Sequence, residues 1–524
     1  MRGEARRLET NINFGRSALA SSRVGIEELI SHKVPNKNKE KIMEIYGEYD
    51  VVVTGGGTSG VAAAIASARA GANTILIERF GVLGGQMNVS GPPGFAYCHL
   101  WNNHGEKCLA GIIEETHHRL EREGHALPYP SPGEGHSQTY AFVDPDWWGL
   151  MIFEMMTENK VNLLLHSLAV DVLKEGDAVK GVIVENTSSR MAVLGKIVID
   201  CSGEGDIAVR ADAPYEQISK DEYEIEPPSI SFTMDGMDWD KFIKYAKEKS
   251  EDLTVNWMDE DGNKKLIEQL KKARNIMDLV PIGSLSFRKL TEKAIANGDY
   301  HPYGDLGFFF TPREGGNIQA IFQHSSQVYQ CDATDIRELT AGEVEARRQV
   351  AISVKAARKY IPGFETAYLT RITTYLRIRE TRRIMGDYKL TMQDVFEARK
   401  FKDVIGKSVM PMGSHHTATI DMLTFAPGGR PGARQIKHDG SYDLPYRMLV
   451  PQKVENLLVA GKMASTERDC YLRFLPETMV TGQAAGVAAA VCVKKGMPPR
   501  QLEEDVTELQ NTLLKQGAIL FDTY

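Results

Sequence analysis

Three glycines at G-x-G-x-x-G spacing, Gly55, Gly57 and Gly60, follow the apolar run Val51-Val-Val, and a carboxylate, Glu78, closes a second apolar run, Thr74-Ile-Leu-Ile, 18 residues beyond Gly60. Each type has a job. Gly55 permits a tight strand-to-helix turn, Gly57 lets backbone amides approach a pyrophosphate with no Cβ in the way, and Gly60 lets the helix pack on the strand. Thr58 and Ser59 then sit at a helix N-terminus, where free N–H groups and the dipole favour negative charge. A carboxylate at Glu78 can accept from both ribose hydroxyls, which disfavours a 2′-phosphate, although Arg79 stands next to it. The spacing predicts a dinucleotide cofactor.

Redox chemistry on such a cofactor needs a group to move a proton and a donor or cation to hold a substrate oxygen. Four residues have suitable types in suitable company: His415 and His416 in Gly413-Ser-His-His-Thr, and Tyr471 and Arg473 in Arg468-Asp-Cys-Tyr-Leu-Arg473. Paired histidines equally serve a surface or a structural role. Arg377, Arg379, Arg382 and Arg383 surround Glu380. On a helix, Arg379 and Arg383 would share a face and could clamp a carboxylate; the alternative is an internal salt-bridge network. Cys98-His99 follows Gly84-Gly85 with no clear direction.

The elements that must position these residues read as a discontinuous α/β arrangement. Residues 1–47 form a polar N-terminal extension with a weak helical pattern (Val24, Ile26, Leu29, Ile30) and a Pro35-Asn-Lys-Asn-Lys linker, packed on the body or reaching a partner subunit. Residues 48–215 form the first part of a Rossmann-like nucleotide-binding domain, with a parallel sheet. Its helix is built of small residues and capped by Gly71. Between Val161 and Cys201, four short β-type runs with the turn Glu175-Gly176-Asp177 predict an antiparallel meander returning to that sheet. The last run ends in Asp200-Cys-Ser-Gly203-Glu-Gly205-Asp206, a second glycine-bearing turn.

Residues 216–442 differ: Pro227-Pro228, the cluster Phe308-Phe-Phe310, and a long helix with Leu339, Val350, Val354, Ala357 and Ile361 on one face, opened by the capping-box pattern Thr340-Ala-Gly-Glu343. This predicts an inserted α+β cap domain that recognises substrate. Residues 443–524 return to cofactor-type sequence: a strand, Asn456-Leu-Leu-Val-Ala-Gly461, and a helix opened by Gly482, Met479-Val-Thr-Gly482-Gln483-Ala484-Ala485-Gly486.

Composition narrows the class. With 524 residues, 42% hydrophobic and 25% charged, the chain reads as two or three ordinary globular domains. A net charge of −8 gives no electrostatic reason to bind nucleic acid or an anionic membrane, and no apolar run approaches the ~18 residues of a membrane span. Arg6-Arg7 lacks the apolar region of an export signal, so a cytoplasmic protein is expected. The six cysteines include no C-x-x-C pair, which removes the spacing of an iron–sulfur cluster, a zinc site or a dithiol centre; no metal is expected.

The ordered series Gly55–Gly60, Glu78-Arg79, Gly84-Gly85-Gln86, Phe142-Val-Asp-Pro145, Val198–Asp206, Arg379–Gly386, Asp443-Leu-Pro-Tyr-Arg447, Asn456–Gly461 and Gly482–Gly486 resembles the FAD-dependent oxidoreductases with the glutathione-reductase-type FAD fold, distantly the fumarate reductase flavoproteins, over roughly residues 48–520. The resemblance implies that Gly55, Gly57, Ser59 and Gly60 hold the FAD pyrophosphate and Glu78 the adenosine ribose. It sets Gly84, Gly85 and Gln86 beside the ribityl chain and flavin, Val170 at the adenine, and Ser202 and Gly203, with Asp206, over the cofactor. Gly461 and Gly482–Ala485 bring the C-terminal helix to the isoalloxazine, where a helix N-terminus favours negative charge. It places the segments of His415, His416, Tyr471 and Arg473 near the flavin. FAD is expected to be non-covalent, because the stretch from Glu78 to Gly91 lacks the His of covalent relatives. No second G-x-G-x-x-G follows another strand, and Lys462 rather than Asp follows Gly461. Dehydrogenase or reductase chemistry on a small organic substrate is therefore expected, with a flavin-bearing electron-transfer subunit docked to a redox partner protein as the alternative; a homo-oligomer is compatible with both.

Overall fold

The structure is a computed structural model and describes residues 43–91, 97–129, 141–218, 225–254, 260–410, 436–470 and 472–522. The N-terminal extension, His415, His416 and Tyr471 lie outside the described residues.

The first unit is β1 (Glu44–Thr54), α1 (Thr58–Arg69) and β2 (Thr74–Ile77), with β1 and β2 parallel through Val51↔Thr74 to Thr54↔Ile77. Alternation fixes the layers: Val51 and Val53 enter the core on one face of the sheet and Val52 the core on the other, and Leu76 and Ile75 divide likewise. Strands buried on both faces read as continuous apolar runs.

α2 (Ile112–Glu123) and α3 (Pro145–Glu158) precede β3 (Asn162–Leu164), which joins β2 in parallel. β4 (Leu168–Glu175), β5 (Ala178–Glu185) and β6 (Arg190–Asp200) form the antiparallel meander. The sheet runs β3-β2-β1-β6-β5-β4. α4 (Asp206–Arg210) and β7 (Tyr215–Gln217) follow.

A second, five-stranded sheet has its own core of Phe and Ile side chains. It comprises β8 (Phe232–Asp235), β9 (Ser284–Leu285), β10 (Phe308–Pro312), β11 (Ile318–Phe322) and β12 (Tyr368–Ile372), with α5 (Trp239–Glu248), α6 (Glu260–Lys272), α7 (Arg288–Ala296) and α8 (Ile336–Tyr360). α8 starts four residues before the expected capping box. Asp335 caps it, accepting from the Arg337 and Glu338 amides, so the Thr340–Glu343 pattern falls inside the helix. The arginine-rich segment is not a helix: β13 (Arg382–Ile384) pairs antiparallel with β7, so the condition under which Arg379 and Arg383 would share a helical face is not met.

The chain then adds α9 (Met392–Phe396), β14 (Val404–Ser408) and β15 (Tyr442–Pro445), and returns to the first sheet through β16 (Leu457–Val459), parallel to the second half of β6. α10 (Leu475–Lys495) and α11 (Thr507–Lys515) close the described fold. α10 begins seven residues before Gly482. A Cβ on Gly482 would stand 2.1 Å from the Ser59 carbonyl oxygen, and one on Gly486 2.1 Å from that of Ala63. These two glycines, one helical turn apart, let α10 touch the α1 backbone, and they do not open the helix. Ala484 and Ala485 are buried in the same packed region. No helix among the described residues is long and apolar enough to cross a membrane.

Candidate cofactor and substrate site

A cavity of about 440 Å³ opens where the β1–α1 turn, the β2 end, the β6–α4 turn, β16 and the start of α10 meet. Its size lies within the range of ligand pockets. Gly55 takes φ +93°, and a Cβ there would stand 2.5 Å from the Cys201 carbonyl oxygen. A Cβ on Gly60 would overlap the Gly55 carbonyl oxygen at 1.8 Å, so Gly60 sets the helix-to-strand distance from behind the cavity and does not line it. Gly57 is different: no atom lies within 4 Å of a Cβ placed on it. It caps α1, whose first turn carries no acidic residue. Amide donors and the dipole of α1 therefore open on a cradle that a side chain would fill, as a pyrophosphate requires.

Glu78 is buried at the end of β2. Its Oε2 accepts from the Gly56 amide at 2.6 Å and its Oε1 from the Phe80 amide at 2.9 Å. Burial raises its pKa against those two bonds. The carboxylate is aimed by the turn it serves. Beside it, the Arg79 guanidinium lies 4.9 Å from the Phe80 ring centroid and 5.1 Å from that of Tyr375, and the two rings stack at 5.4 Å. Gly84 donates its amide to the Gly56 carbonyl at 2.7 Å, which draws Gly85 and Gln86 along the cavity although Gly84 does not line it.

Ser202, Gly203 and Asp206 line the opposite side. Asp200 supports their turn by accepting from the Ser202, Ile207 and Ala208 amides. Asp206 pairs with Arg382 at 3.0 Å. Leu168 and Ala169 line the cavity; Val170 does not, and its carbonyl accepts from Arg210 Nε at 2.7 Å. Gly461 lines it, and a Cβ there would meet Ser59 Oγ at 3.0 Å.

From α10 the cavity receives Thr478, one turn before Gly482; Thr478 Oγ1 lies 2.7 Å from Thr58 Oγ1. Gly482, Gln483, Ala484 and Ala485 do not line it. Gln483 instead accepts from the Ile112 amide at 3.1 Å and donates to the Gln516 carbonyl at 3.2 Å, tying α2 to the C-terminal segment.

Arg473 lines the cavity just before α10 and pairs through Nε with Glu226 Oε2 at 3.2 Å, both nearly inaccessible to solvent. Gln86, with its carbonyl turned toward Arg377, accepts from Nε and Nη2 at 2.5 and 3.1 Å. Arg379 donates to the Pro227 carbonyl, and Arg468 grips Glu380 at 2.7 and 3.2 Å. Burial, reinforced by Arg379, Arg377 and Arg473, holds the His324 pKa well below its usual value. Cys98 is also buried here, its thiol pushed up by burial and by Glu477 while Arg377 and Arg473 oppose. Of these groups, Arg473 and Gln86 line the cavity and the others stand behind them.

Sequence reasoning missed the contributions of Thr334, Leu339, Glu343 and Tyr375. They belong to the second sheet's part of the chain and reach the cavity only through tertiary packing. Lys462 was read for what it is not, an Asp. It lines the cavity, bound to Glu204 at 2.8 and 3.0 Å.

The sheet with its glycine turn, cradled carboxylate and returning C-terminal helix is a Rossmann-like dinucleotide-binding architecture. The sequence model of the FAD dependent oxidoreductase family matches residues 50–513, and the chain belongs to that family. It is an enzyme, and FAD is its cofactor. No curated protein matches the chain significantly. Among solved structures, a geranylgeranyl bacteriochlorophyll reductase-like protein from Thermoplasma acidophilum is 13% identical at TM-score 0.42, over 90% of this chain and 84% of that one. A flavin-dependent brominase is 13% identical at TM-score 0.40, over 87% and 83%. A p-nitrophenol 4-monooxygenase from Pseudomonas putida is 11% identical at TM-score 0.40, over 92% and 91%.

Proposed function

We propose that this enzyme is a dehydrogenase or reductase that exchanges a hydride between a small organic substrate and non-covalently held FAD. FAD supplies the two-electron chemistry. The amides at the start of α1 would hold its pyrophosphate, Glu78 its ribose, and Gln86 would lie along the flavin end. A cap formed by residues 216–442 would close the substrate side, contributing Thr334 and Glu343.

The observation that carries the reading is a cation pinned in the cavity wall just before α10. Arg473 has a buried acid on its back and faces the cavity, so it can hold a substrate oxygen without reorganising. Arg377 reaches the cavity only through Gln86 and fixes that amide. Proton transfer would fall to His415 or His416, with Tyr471 as a further donor. Non-covalent attachment is supported by the stretch from Glu78 to Gly91, which contains no His, Cys or Tyr.

Anaerobic mixing of the yellow protein with a panel of alcohols, hydroxy acids and amines, or of the photoreduced protein with their oxidised forms, tests this. Rapid bleaching or reoxidation by one class, slowed at least ~100-fold by Arg473→Met with the flavin still bound, is the expected result. Exchange of electrons only with a partner iron–sulfur protein would overturn it.

A further inference from the structure

α2 lies away from the cavity and carries a cluster that the flavin chemistry does not use. We propose that His117, His118 and Glu121 bind one divalent transition-metal ion of the zinc, cobalt or nickel class.

The three residues occupy positions i, i+1 and i+4 of the helix, so both imidazoles lie one turn from the carboxylate. Their donor atoms all fall within 4.8 Å of one another. His118 Nδ1 stands 3.2 Å from Glu121 Oε2, and His117 Nδ1 stands 3.8 Å from the same oxygen. Bonds of ~2.1 Å in a tetrahedral sphere put neighbouring donors about 3.4 Å apart, between those two separations. Two imidazoles and one carboxylate suit borderline metals, and three protein ligands leave a position open.

A second observation concerns His117 itself. Its side chain has no solvent exposure, and its Nδ1 faces Glu121 Oε2 across 3.8 Å. That separation leaves room for a metal ion between the imidazole and the carboxylate.

The surroundings orient the ligands. Glu121 Oε1 accepts from the Tyr129 amide at 3.1 Å, which turns Oε2 toward the histidines. The Tyr129 ring lies 4.8 Å from each imidazole and fixes both ring planes. Such supporting contacts are what a metal site needs beyond its ligands. His118 and Glu121 remain partly exposed, which leaves an entry path. Glu114 Oε1 lies 3.6 Å from His118 Nε2 and neutralises Lys107, so no bare cation opposes an incoming ion.

The test uses the full-length, FAD-loaded protein stripped with EDTA, dialysed, and equilibrated with micromolar ZnCl₂ or CoCl₂. Metal is counted by mass spectrometry and the melting temperature recorded. One ion per chain and a raised melting temperature are expected, with affinity lowered more than ~100-fold in His118→Ala and in Glu121→Gln. Both variants alter partly exposed side chains and should keep the yellow absorbance, whereas His117→Ala would also open the core. Wild-type protein that holds no stoichiometric ion, or variants that hold it as tightly as wild type, would overturn the proposal.

Discussion

Two of the helices that begin at the cavity, α1 and α10, are equipped in opposite ways. α1 begins on Gly57 with no acidic residue in its first turn. α10 begins on Phe474 with Glu477 in its first turn, buried and bonded to Ser408 Oγ at 2.9 Å. The first end keeps its amides and dipole for an anion brought from outside. The second is met by a carboxylate of its own, whose pKa burial pushes up to about 7. Positive charge near α10 comes instead from Arg473 on the preceding segment. A glycine-bearing helix near a cofactor is therefore not by itself a phosphate or flavin site; what its first turn contains decides.

The contrast breaks most completely at the contact between the two helices. Gly482→Val would drive a side chain into the Ser59 carbonyl, 2.1 Å from the Cβ position, and neither backbone can yield without moving α1 from the sheet. Destabilisation of at least ~3 kcal/mol is expected, seen as insoluble protein or a steep loss of melting temperature.

Glu477→Gln sharpens the comparison at the α10 end. The folded state holds the Glu477 proton from the ordinary 4.5 up to about 7, so the unfolded state releases it first and stability falls as pH rises through that window. The shift corresponds to about 3 kcal/mol. In the Gln variant this fall should vanish, leaving the protein more stable than wild type at pH 8 and equal to it near pH 4, as urea titrations would show.

The smallest effect lies beside Glu78. Arg79→Ala removes a cation over Phe80 and Tyr375. A loss of about 1 kcal/mol in FAD affinity, roughly fivefold in Kd by flavin fluorescence, is expected.

What the sequence made legible follows from range. The β1–α1 turn, Glu78 and the meander depend on local steric and periodic rules, and the fold class followed from them. The start of α10 was misplaced because Phe474 offers no side-chain cap; Pro476 in the first turn was the available signal. α8 was misplaced because Thr340–Glu343 fits the capping pattern as well as Asp335 does, and only the hydrogen bonds distinguish them. For the arginines 377–383 the charge spacing left a helical clamp and an internal salt-bridge network both open, and only the pairing of β13 with β7 rules out the helix. Gln483 sits in a motif that points to the cofactor, but its contacts, with Ile112 and Gln516, are hundreds and tens of residues away.

Gly57→Val tests the central claim most directly, because nothing in the protein lies within 4 Å of a Cβ at that position. The variant should fold with wild-type circular dichroism and purify colourless, and it should stay so in excess FAD. Folded Gly57→Val protein that retains full flavin absorbance would contradict the assignment of the cradle.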